Sequence, residues 1–336
     1  MYATVNPSTI HRVLFIRTDR LGETLLNLPA IVTQKRAFPH ASLTFLVQPE
    51  LASLFQDVSD VNHVITCAPD AQQSWWGRAR ALAQVLKPLQ FDVAVISNPK
   101  KELHLAVWLA GIRWRVGYAR KLGRWLLTHR LQDRKALGER HEVEYNLDLV
   151  QALGLPRSIP QWGYPRLVHE QVEVQQLLEQ QGIRPSDPFI AVHPWTSNPL
   201  KRWPPERYTA LIRYAREQLA IQVVMIGGPE EAAEGHSVLP VGMPVANLTG
   251  RLTLRQLTAL LQRARLLISN DSGPVHLAAC VSTRTLVLFG TPNPANGPRR
   301  WGPWGDGHMV IWKPSMDEIR VDEVCAALQQ ALRGAR

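Results

Sequence analysis

Cysteine is scarce in this chain, and its spacing excludes two classes of protein. The three that occur, Cys67, Cys280 and Cys325, stand far apart and form no CxxC pair. This argues against a zinc site and against a disulfide framework, and it fits a reducing cytoplasm. No run of about 18 apolar residues appears, so we expect no transmembrane helix. The first twenty residues lack a long apolar stretch, and we expect no signal peptide.

Several recognition motifs are also missing. The chain has neither G-x-x-x-x-G-K-[ST] nor G-x-G-x-x-G, which argues against P-loop kinases and typical dehydrogenases. It has no basic heptad region, zinc-finger spacing or aromatic RNA-binding signature, so its motifs predict no nucleic-acid partner.

Positive charge is abundant and concentrated. The formal net charge is +10, and residues 78–140 alone hold fourteen Lys or Arg against four Asp or Glu. Such a surface favours an anionic partner, which is phosphate-rich lipid, nucleic acid or a charged glycan. The alternative is a face that only keeps the protein in solution.

Short apolar runs alternate with amphipathic stretches along the chain. This alternation predicts an α/β fold with parallel sheets covered on both faces by helices. Residues 153–188 are rich in turn-formers and are the predicted linker, after which the alternation restarts. The predicted strands are 13–17, 42–47, 63–67, 91–97, 189–194, 221–228, 264–271 and 285–290, and the predicted helices are 23–37, 81–89, 102–110, 205–218, 254–264, 273–281 and 316–332.

Residues 269–280, SNDSGPVHLAAC, form the first candidate site. A predicted strand ends in Asn270-Asp271-Ser272-Gly273 and a helix follows at once. Ligands of open α/β sheets bind beyond the carboxyl ends of strands, and a helix N-terminus suits a diphosphate. The alternative is plain helix capping by Asp271 or Ser272.

Two further segments follow predicted strands in the same way. Residues 193–208, HPWTSNPLKRWPPERY, supply hydroxyls and cations that can hold a diphosphate. Residues 17–30, RTDRLGETLLNLPA, place Asp19 and Glu23 around a glycine, so a carboxylate is expected to face an interdomain cleft. The alternatives are a polar surface loop and helix capping by Asp19, with Glu23 stabilising the helix dipole.

Together these segments resemble glycosyltransferase family 9, the ADP-heptose:lipopolysaccharide heptosyltransferases. Its three blocks stand here as RLGETLLNLPA, HPWTSNPLKRWPPERY and SNDSGPVHLAAC, and the resemblance covers about residues 12–315. It implies a GT-B architecture with two facing Rossmann-like domains. The implied divisions are an acceptor-binding domain at 1–165, a nucleotide-sugar-binding domain at 166–315 and a C-terminal helix at 316–336 returning to the N-terminal domain.

The motif positions also imply roles for individual residues. No metal or cofactor is expected, because Lys and helix-dipole contacts carry the diphosphate charge of an ADP-sugar co-substrate. The implied donor residues are Thr196, Ser197 and Lys201 on the diphosphate, Ser272 and Gly273 on its other side, Glu231 (with Glu230 as its rival) on the ribose or base edge, Leu252 on the adenine, and Asp271 and His276 on the sugar.

The resemblance places the catalytic base at Glu23, where most of the family has Asp. The extra methylene leaves three options open: an adjusted backbone, a different acceptor, or a share of the role for Asp19. Trp195 is a second departure, because many relatives have glycine there, and it is expected to reshape the nucleotide pocket or cap the base.

The expected reaction is an inverting, metal-independent transfer of a heptose or related sugar to a lipopolysaccharide-core-like acceptor. We expect a cytoplasmic monomer that contacts the inner membrane peripherally through Arg113, Arg115, Arg120 and Lys121. Three alternatives stay open: a relative that uses another nucleotide sugar or acceptor, a non-catalytic glycan- or lipid-binding module, and a nucleic-acid-binding protein suggested only by the basic region.

Overall fold

The structure, a computed structural model, describes residues 5–68, 72–155 and 163–333, and for residues 121 and 122 it describes the backbone alone. By its contacts the chain divides into two compact units, Met1–Trp162 and Gly163–Arg336. Each unit contains one six-stranded sheet whose strand pairs are all parallel. In these ranges no helix is both long enough and apolar enough to cross a bilayer.

The first unit alternates strands and helices, as the sequence predicts. Its strands are β1 (Arg12–Ile16), β2 (Ser42–Val47), β3 (His63–Thr66), β4 (Val93–Ile96), β5 (Trp114–Ala119) and β6 (His129–Gln132), and its helices are α1 (Leu21–Leu25), α2 (Leu28–Ala37), α3 (Ala52–Phe55), α4 (Trp75–Leu86), α5 (Lys101–Leu109) and α6 (Glu142–Gln151).

The second unit repeats this alternation. Its strands are β7 (Phe189–His193), β8 (Gln222–Met225), β9 (Ala246–Asn247), β10 (Leu266–Asn270), β11 (Thr285–Gly290) and β12 (Met309–Lys313), and its helices are α7 (Val168–Gln180), α8 (Pro205–Glu217), α9 (Leu254–Arg263), α10 (Gly273–Cys280), α11 (Pro298–Trp301) and α12 (Val321–Arg333).

The two sheets have the same strand order. The first runs β3-β2-β1-β4-β5-β6 and the second β12-β11-β10-β7-β8-β9, which is the same doubly wound order read from the other edge. In such sheets the strand order reverses between the first and fourth strands, and ligands bind beyond their carboxyl ends. These switch points lie between β1 and β4 and between β7 and β10. The predicted α/β, GT-B-like fold is confirmed.

The central strands are apolar throughout because both faces of each sheet are covered. Four consecutive residues of β1 and all five of β10 are buried. The core of the second unit includes Trp203 and Tyr208, whose rings meet edge to face at a centroid distance of 4.9 Å.

Strands β5, β6, β9 and β12 were not predicted, and three of the predicted segments have a different structure. The predicted helix 23–37 is two helices, because Pro29 lies in the first turn of α2 and has no N–H with which to continue α1. The predicted linker contains α7, which packs on α9, and its residues 156–162 lie outside the described ranges. The predicted helix 316–332 is a 3-10 turn, Met316–Glu318, followed by α12.

Helix α12 belongs to the second unit. It packs on α8, and its buried residues Val324, Cys325 and Leu328 are part of that unit's core. The return of this helix to the first domain stays a prediction. Burial of its apolar stripe is the dominant stabilisation available to an amphipathic helix.

Candidate functional site

An ion cluster fills the switch point of the first sheet. Asp19 follows β1, and its carboxylate lies 3.0 Å from Arg17 Nε and 3.1 Å from Lys100 Nζ. Asn98, which follows β4, donates to the same carboxylate at 3.3 Å. Because Arg20 is the N-cap of α1, and no side-chain capping bond forms there among the described residues, the suggestion that Asp19 caps this helix is wrong.

A buried chain of charges holds Arg17 in place. Its guanidinium reaches Glu142 Oε1 at 3.4 Å, and Lys135 Nζ lies 2.6 Å from the same oxygen. Arg17, Lys135 and Glu142 are each 5% exposed or less. Sequence reasoning missed Lys135 and Glu142, since their contact with β1 exists only in the folded sheet.

Glu23 has a different environment from Asp19. It lies in the first turn of α1 and is half-buried. Among the residues that the structure describes, its carboxylate has no ion-pair or hydrogen-bond partner. Two cations thus hold the carboxylate of Asp19 in place, whereas no described ion pair holds that of Glu23.

A cavity of about 270 Å³ opens beside this cluster in the first unit. Its walls are mostly apolar and include Leu82 of α4 and Leu103 of α5. Arg78 and Lys100 supply cations at its edge, and Thr18 connects it to Asp19. The cavity therefore offers an apolar surface next to two cations, of which Arg78 is 4.0 Å from the carboxylate of Glu102, which also lines the cavity.

The switch point of the second sheet holds a cluster of neutral polar side chains. His193, the last residue of β7, lies opposite Ser269 of β10 in the sheet register. Its Nδ1 is 3.1 Å from Ser269 Oγ and 3.2 Å from Ser272 Oγ, and the two hydroxyl oxygens are 2.8 Å apart. Ser272 is the N-cap of α10, which begins with Gly273 and Pro274.

An ion pair lies at the same edge of the sheet. Lys201 Nζ is 2.5 Å from Asp271 Oδ2. The buried Thr196 donates from Oγ1 to the Asp271 carbonyl at 3.5 Å. Four residues that the sequence assigned to the donor, including Ser272, are thus brought together by β7 and β10.

The remaining predicted donor residues are more dispersed. Glu231 accepts a hydrogen bond from the N–H of Gly228 and so caps its own turn. Leu252 is half-buried, Ser197 is exposed, and His276 is buried in α10 at 4% exposure. His276 therefore belongs to the packed part of α10.

Trp195 is part of the core of the second unit. Its ring is 2% exposed and lies against the backbone of Gly227, where an added Cβ would come within 2.7 Å of the indole. The methyl group of Thr249 would lie 2.8 Å from that Cβ on the other side. Trp195 thus forms an inner wall of the site and excludes any larger residue at position 227.

The predicted basic contact with anionic partners needs revision. Arg115 is turned inward, donating to the carbonyls of Leu126 at 2.6 Å and Ile112 at 2.5 Å, and burial lowers the pKa of its guanidinium. Arg120 is paired with Asp133 at 2.5 Å. Arg113 is exposed, while the side chain of Lys121 lies outside the description. Sequence reasoning missed Arg124, which stacks on the 70% exposed Trp125 at 4.9 Å.

No group of three or more His, Cys, Asp or Glu side chains that could hold a metal occurs in the described ranges.

Comparison with known proteins gives one family. The model of glycosyltransferase family 9 (heptosyltransferase) matches residues 79–330. A putative glycosyltransferase of Haemophilus influenzae is 27% identical, covering 96% of this chain and 95% of its own. Lipopolysaccharide heptosyltransferase 3 of Escherichia coli is 24% identical, covering 89% and 88%.

Solved structures share the fold. A family 9 glycosyltransferase of Veillonella parvula has a TM-score of 0.86 at 20% identity, covering 96% of this chain and 97% of its own. The E. coli heptosyltransferase WaaC, solved with ADP, has a TM-score of 0.75 at 20% identity, covering 95% and 99%. The dodecameric iron-containing glycosyltransferase TibC of enterotoxigenic E. coli has a TM-score of 0.56 at 14% identity, covering 97% and 77%.

Proposed function

Because the chain belongs to glycosyltransferase family 9, the heptosyltransferase family, we propose that it transfers a heptose from ADP-heptose to a hydroxyl of a lipopolysaccharide-core-like acceptor, with inversion at the anomeric carbon. The observation that carries the proposal is the convergence of Lys201, Asp271, Thr196 and Ser272 at the switch point of the second sheet. WaaC, solved with ADP, and the named lipopolysaccharide heptosyltransferase support the choice of donor and acceptor.

The diphosphate lies at the N-terminus of α10 in this proposal. The first N–H groups of a helix have no intrahelical partner, and the helix dipole favours an anion there. Gly273 lets the diphosphate approach the backbone, and the Ser272 hydroxyl is within reach. Lys201 supplies a full positive charge that opposes the charge developing on ADP as it leaves. Its pairing with Asp271 keeps the ammonium near this point.

The nucleoside and sugar have their own contacts. One oxygen of Glu231 is occupied by Gly228 N–H, and the other is assigned to a ribose hydroxyl. Leu252 packs on the adenine. Asp271 accepts from a heptose hydroxyl while it holds Lys201.

The acceptor binds in the first unit, with its sugar in the cavity edged by Arg78 and Lys100. Glu23 accepts the proton of the acceptor hydroxyl as that oxygen bonds to the anomeric carbon, and the bond from this carbon to the diphosphate breaks, releasing ADP. Asp19, fixed by Arg17 and Lys100, orients the acceptor. Lys201 and α10 carry the diphosphate charge without a metal in this scheme.

Contact with an anionic membrane surface completes the proposal. Arg113 and Arg124 are exposed and lie on tryptophan rings, Trp114 and Trp125. Tryptophan prefers the membrane–water boundary, and each Lys or Arg near anionic lipid contributes about 1 kcal/mol. The protein acts as a monomer on the cytoplasmic face of the inner membrane in this proposal.

Release of ADP tests the reaction. ADP-heptose is incubated with a lipopolysaccharide acceptor that lacks heptose, with UDP-, GDP- and TDP-sugars as alternatives and EDTA in a parallel sample. We expect ADP release that requires both substrates and survives EDTA. ADP binding without release by any acceptor would support a non-catalytic module, and loss of activity in EDTA, restored by iron, would contradict the metal-free scheme.

A further inference from the structure

His193 is buried beside the proposed diphosphate site. It is not a charged ligand of that site. Burial lowers its pKa to about 4, so the imidazole is neutral at neutral pH. It contacts Ser269 and Ser272 through one ring nitrogen, Nδ1. A neutral imidazole has one nitrogen that donates and one that accepts. The direction of the hydrogen bonds in this cluster therefore depends on which tautomer is present.

The three short contacts restrict where the protons lie. If Nδ1 is an acceptor and Ser272 directs its hydroxyl proton outward, only Ser269 has a proton for the cluster. The Ser269 proton can lie toward Nδ1, 3.1 Å away, or toward Ser272 Oγ, 2.8 Å away, but not between Ser272 Oγ and Nδ1, which are 3.2 Å apart. At least one of these contacts would then join two lone pairs.

The other tautomer removes this conflict. With the proton on Nδ1, the imidazole N–H is shared between Ser272 Oγ at 3.2 Å and Ser269 Oγ at 3.1 Å, and Ser269 donates its own proton to Ser272 Oγ. Ser272 then accepts twice, and its own proton is available to an acceptor outside the cluster. A hydroxyl that accepts hydrogen bonds also becomes a stronger donor, because bonds in a chain polarise one another.

We propose that His193 is a positioning residue for the donor diphosphate: as the Nδ1–H tautomer it turns the Ser272 hydroxyl outward, so that this hydroxyl donates to a phosphate oxygen. The inference rests on the proposed function, since it takes a diphosphate at α10 as the ligand. It assigns a role to a histidine that neither touches the substrate nor carries charge. Ser269 supports the same orientation from β10.

A double-mutant cycle tests whether His193 acts through Ser272. ADP affinity is measured by calorimetry for His193→Leu, His193→Asn and Ser272→Ala, and for His193→Leu combined with Ser272→Ala. Loss of one hydrogen bond to an anion weakens binding by about tenfold or more. We expect that loss in His193→Leu and in Ser272→Ala, and no further loss in the double variant. The Asn side chain places an N–H near the position of Nδ1, so His193→Asn should keep most of the affinity.

Two outcomes of the cycle overturn the inference. In one, His193→Leu weakens ADP binding equally with and without the Ser272 hydroxyl. In the other, His193→Asn is as weak as His193→Leu. Lys201→Ala separates this failure from that of the proposed function: if it weakens ADP binding while Ser272→Ala does not, only the inference fails, and if neither does, the donor site fails as well.

A spectroscopic measurement reads the tautomer in the unsubstituted protein. Nitrogen-15 labelled histidine distinguishes the two neutral tautomers, and the His193 signal is identified by its absence from His193→Asn. With ADP bound, we expect the proton on Nδ1 at pH 7. A proton on Nε2 in the ADP complex overturns the inference.

Discussion

The two units have the same strand order but fill their switch points differently. After β1 and β4 in the first sheet, Arg17, Lys100 and Asn98 enclose the carboxylate of Asp19. After β7 and β10 in the second, hydroxyls and one ion pair surround a helix that begins with glycine. A filled edge holds its charges rigidly, whereas an edge with exposed N–H groups at a glycine suits an incoming anion. In the proposed function, one fold thus serves two ligands through different residues at the strand ends.

The largest effect is expected from the difference between the carboxylates of Glu23 and Asp19 in the first unit. We expect Glu23→Gln to lower turnover by at least about 100-fold, because loss of a general base typically costs ~10²–10⁴ in rate. ADP affinity should be unchanged, since the proposed donor site lies in the second unit. ADP release measures the turnover, and calorimetry measures the ADP affinity.

Asp19→Asn is the matched control for Glu23→Gln. It removes the anion that Arg17 and Lys100 share, so we expect a lower Tm with a smaller loss of turnover. If Asp19→Asn abolishes turnover in a folded protein while Glu23→Gln stays active, the base is Asp19. If both variants stay active, another group accepts the proton.

The next largest effect is expected from the positive charge of Lys201 at the second switch point. We expect Lys201→Ala to weaken ADP binding by ~10–100-fold, because a hydrogen bond to a charged group contributes about 1.5–3 kcal/mol. Loss of the ammonium also removes the ion pair that offsets the charge of Asp271 beside the proposed diphosphate site. Calorimetry compares the ADP affinity of Lys201→Ala with that of Lys313→Ala, which breaks an ion pair with Glu323 elsewhere in the same unit. Equal affinities for the two variants would remove Lys201 from the site.

Packing behind the second switch point makes a prediction about stability. Gly227→Ala places a methyl group against Trp195, and we expect the free energy of unfolding to fall by about 1–3 kcal/mol. Gly163→Ala is the control, since a Cβ there meets no atom within 4 Å. Trp195→Phe removes the nearest ring atoms and should partly restore Gly227→Ala. Chemical denaturation measures the free energy of unfolding of the three single variants and of Gly227→Ala combined with Trp195→Phe. Equal stability of Gly227→Ala and Gly163→Ala would contradict the packing argument.

The smallest effect is expected at the basic surface of the first unit. Removing Arg113 and Arg124 together should weaken binding to anionic vesicles by about 1 kcal/mol per residue, and added salt should have the same effect. Arg115→Ala is the contrasting variant: its guanidinium binds backbone carbonyls, so we expect lower stability with little change in vesicle binding. If vesicle binding, measured by co-sedimentation, changes neither with salt nor with removal of both arginines, this surface is excluded as the membrane contact.

The sequence predicted the candidate donor site better than the candidate acceptor site. Lys201, Thr196, Asp271 and Ser272 lie in two motifs directly after buried strands, and parallel strands bring such positions to one edge. His193 stood in the same motif, but its contact with two serines depends on strand register. Lys135 and Glu142 had no local signal, because they reach Arg17 from distant parts of the chain.

By itself, the sequence determined the α/β alternation, the two units and the residues at the strand ends, because apolar runs and turn-formers act locally. Tertiary structure alone decided what each polar residue does there. It paired Asp19 with two cations while leaving Glu23 without an ion pair among the described residues, and it turned Arg115 inward. It also packed α12 on α8. Charge, hydrogen-bond partners and burial depend on groups that only the folded chain brings together, and no local pattern records them.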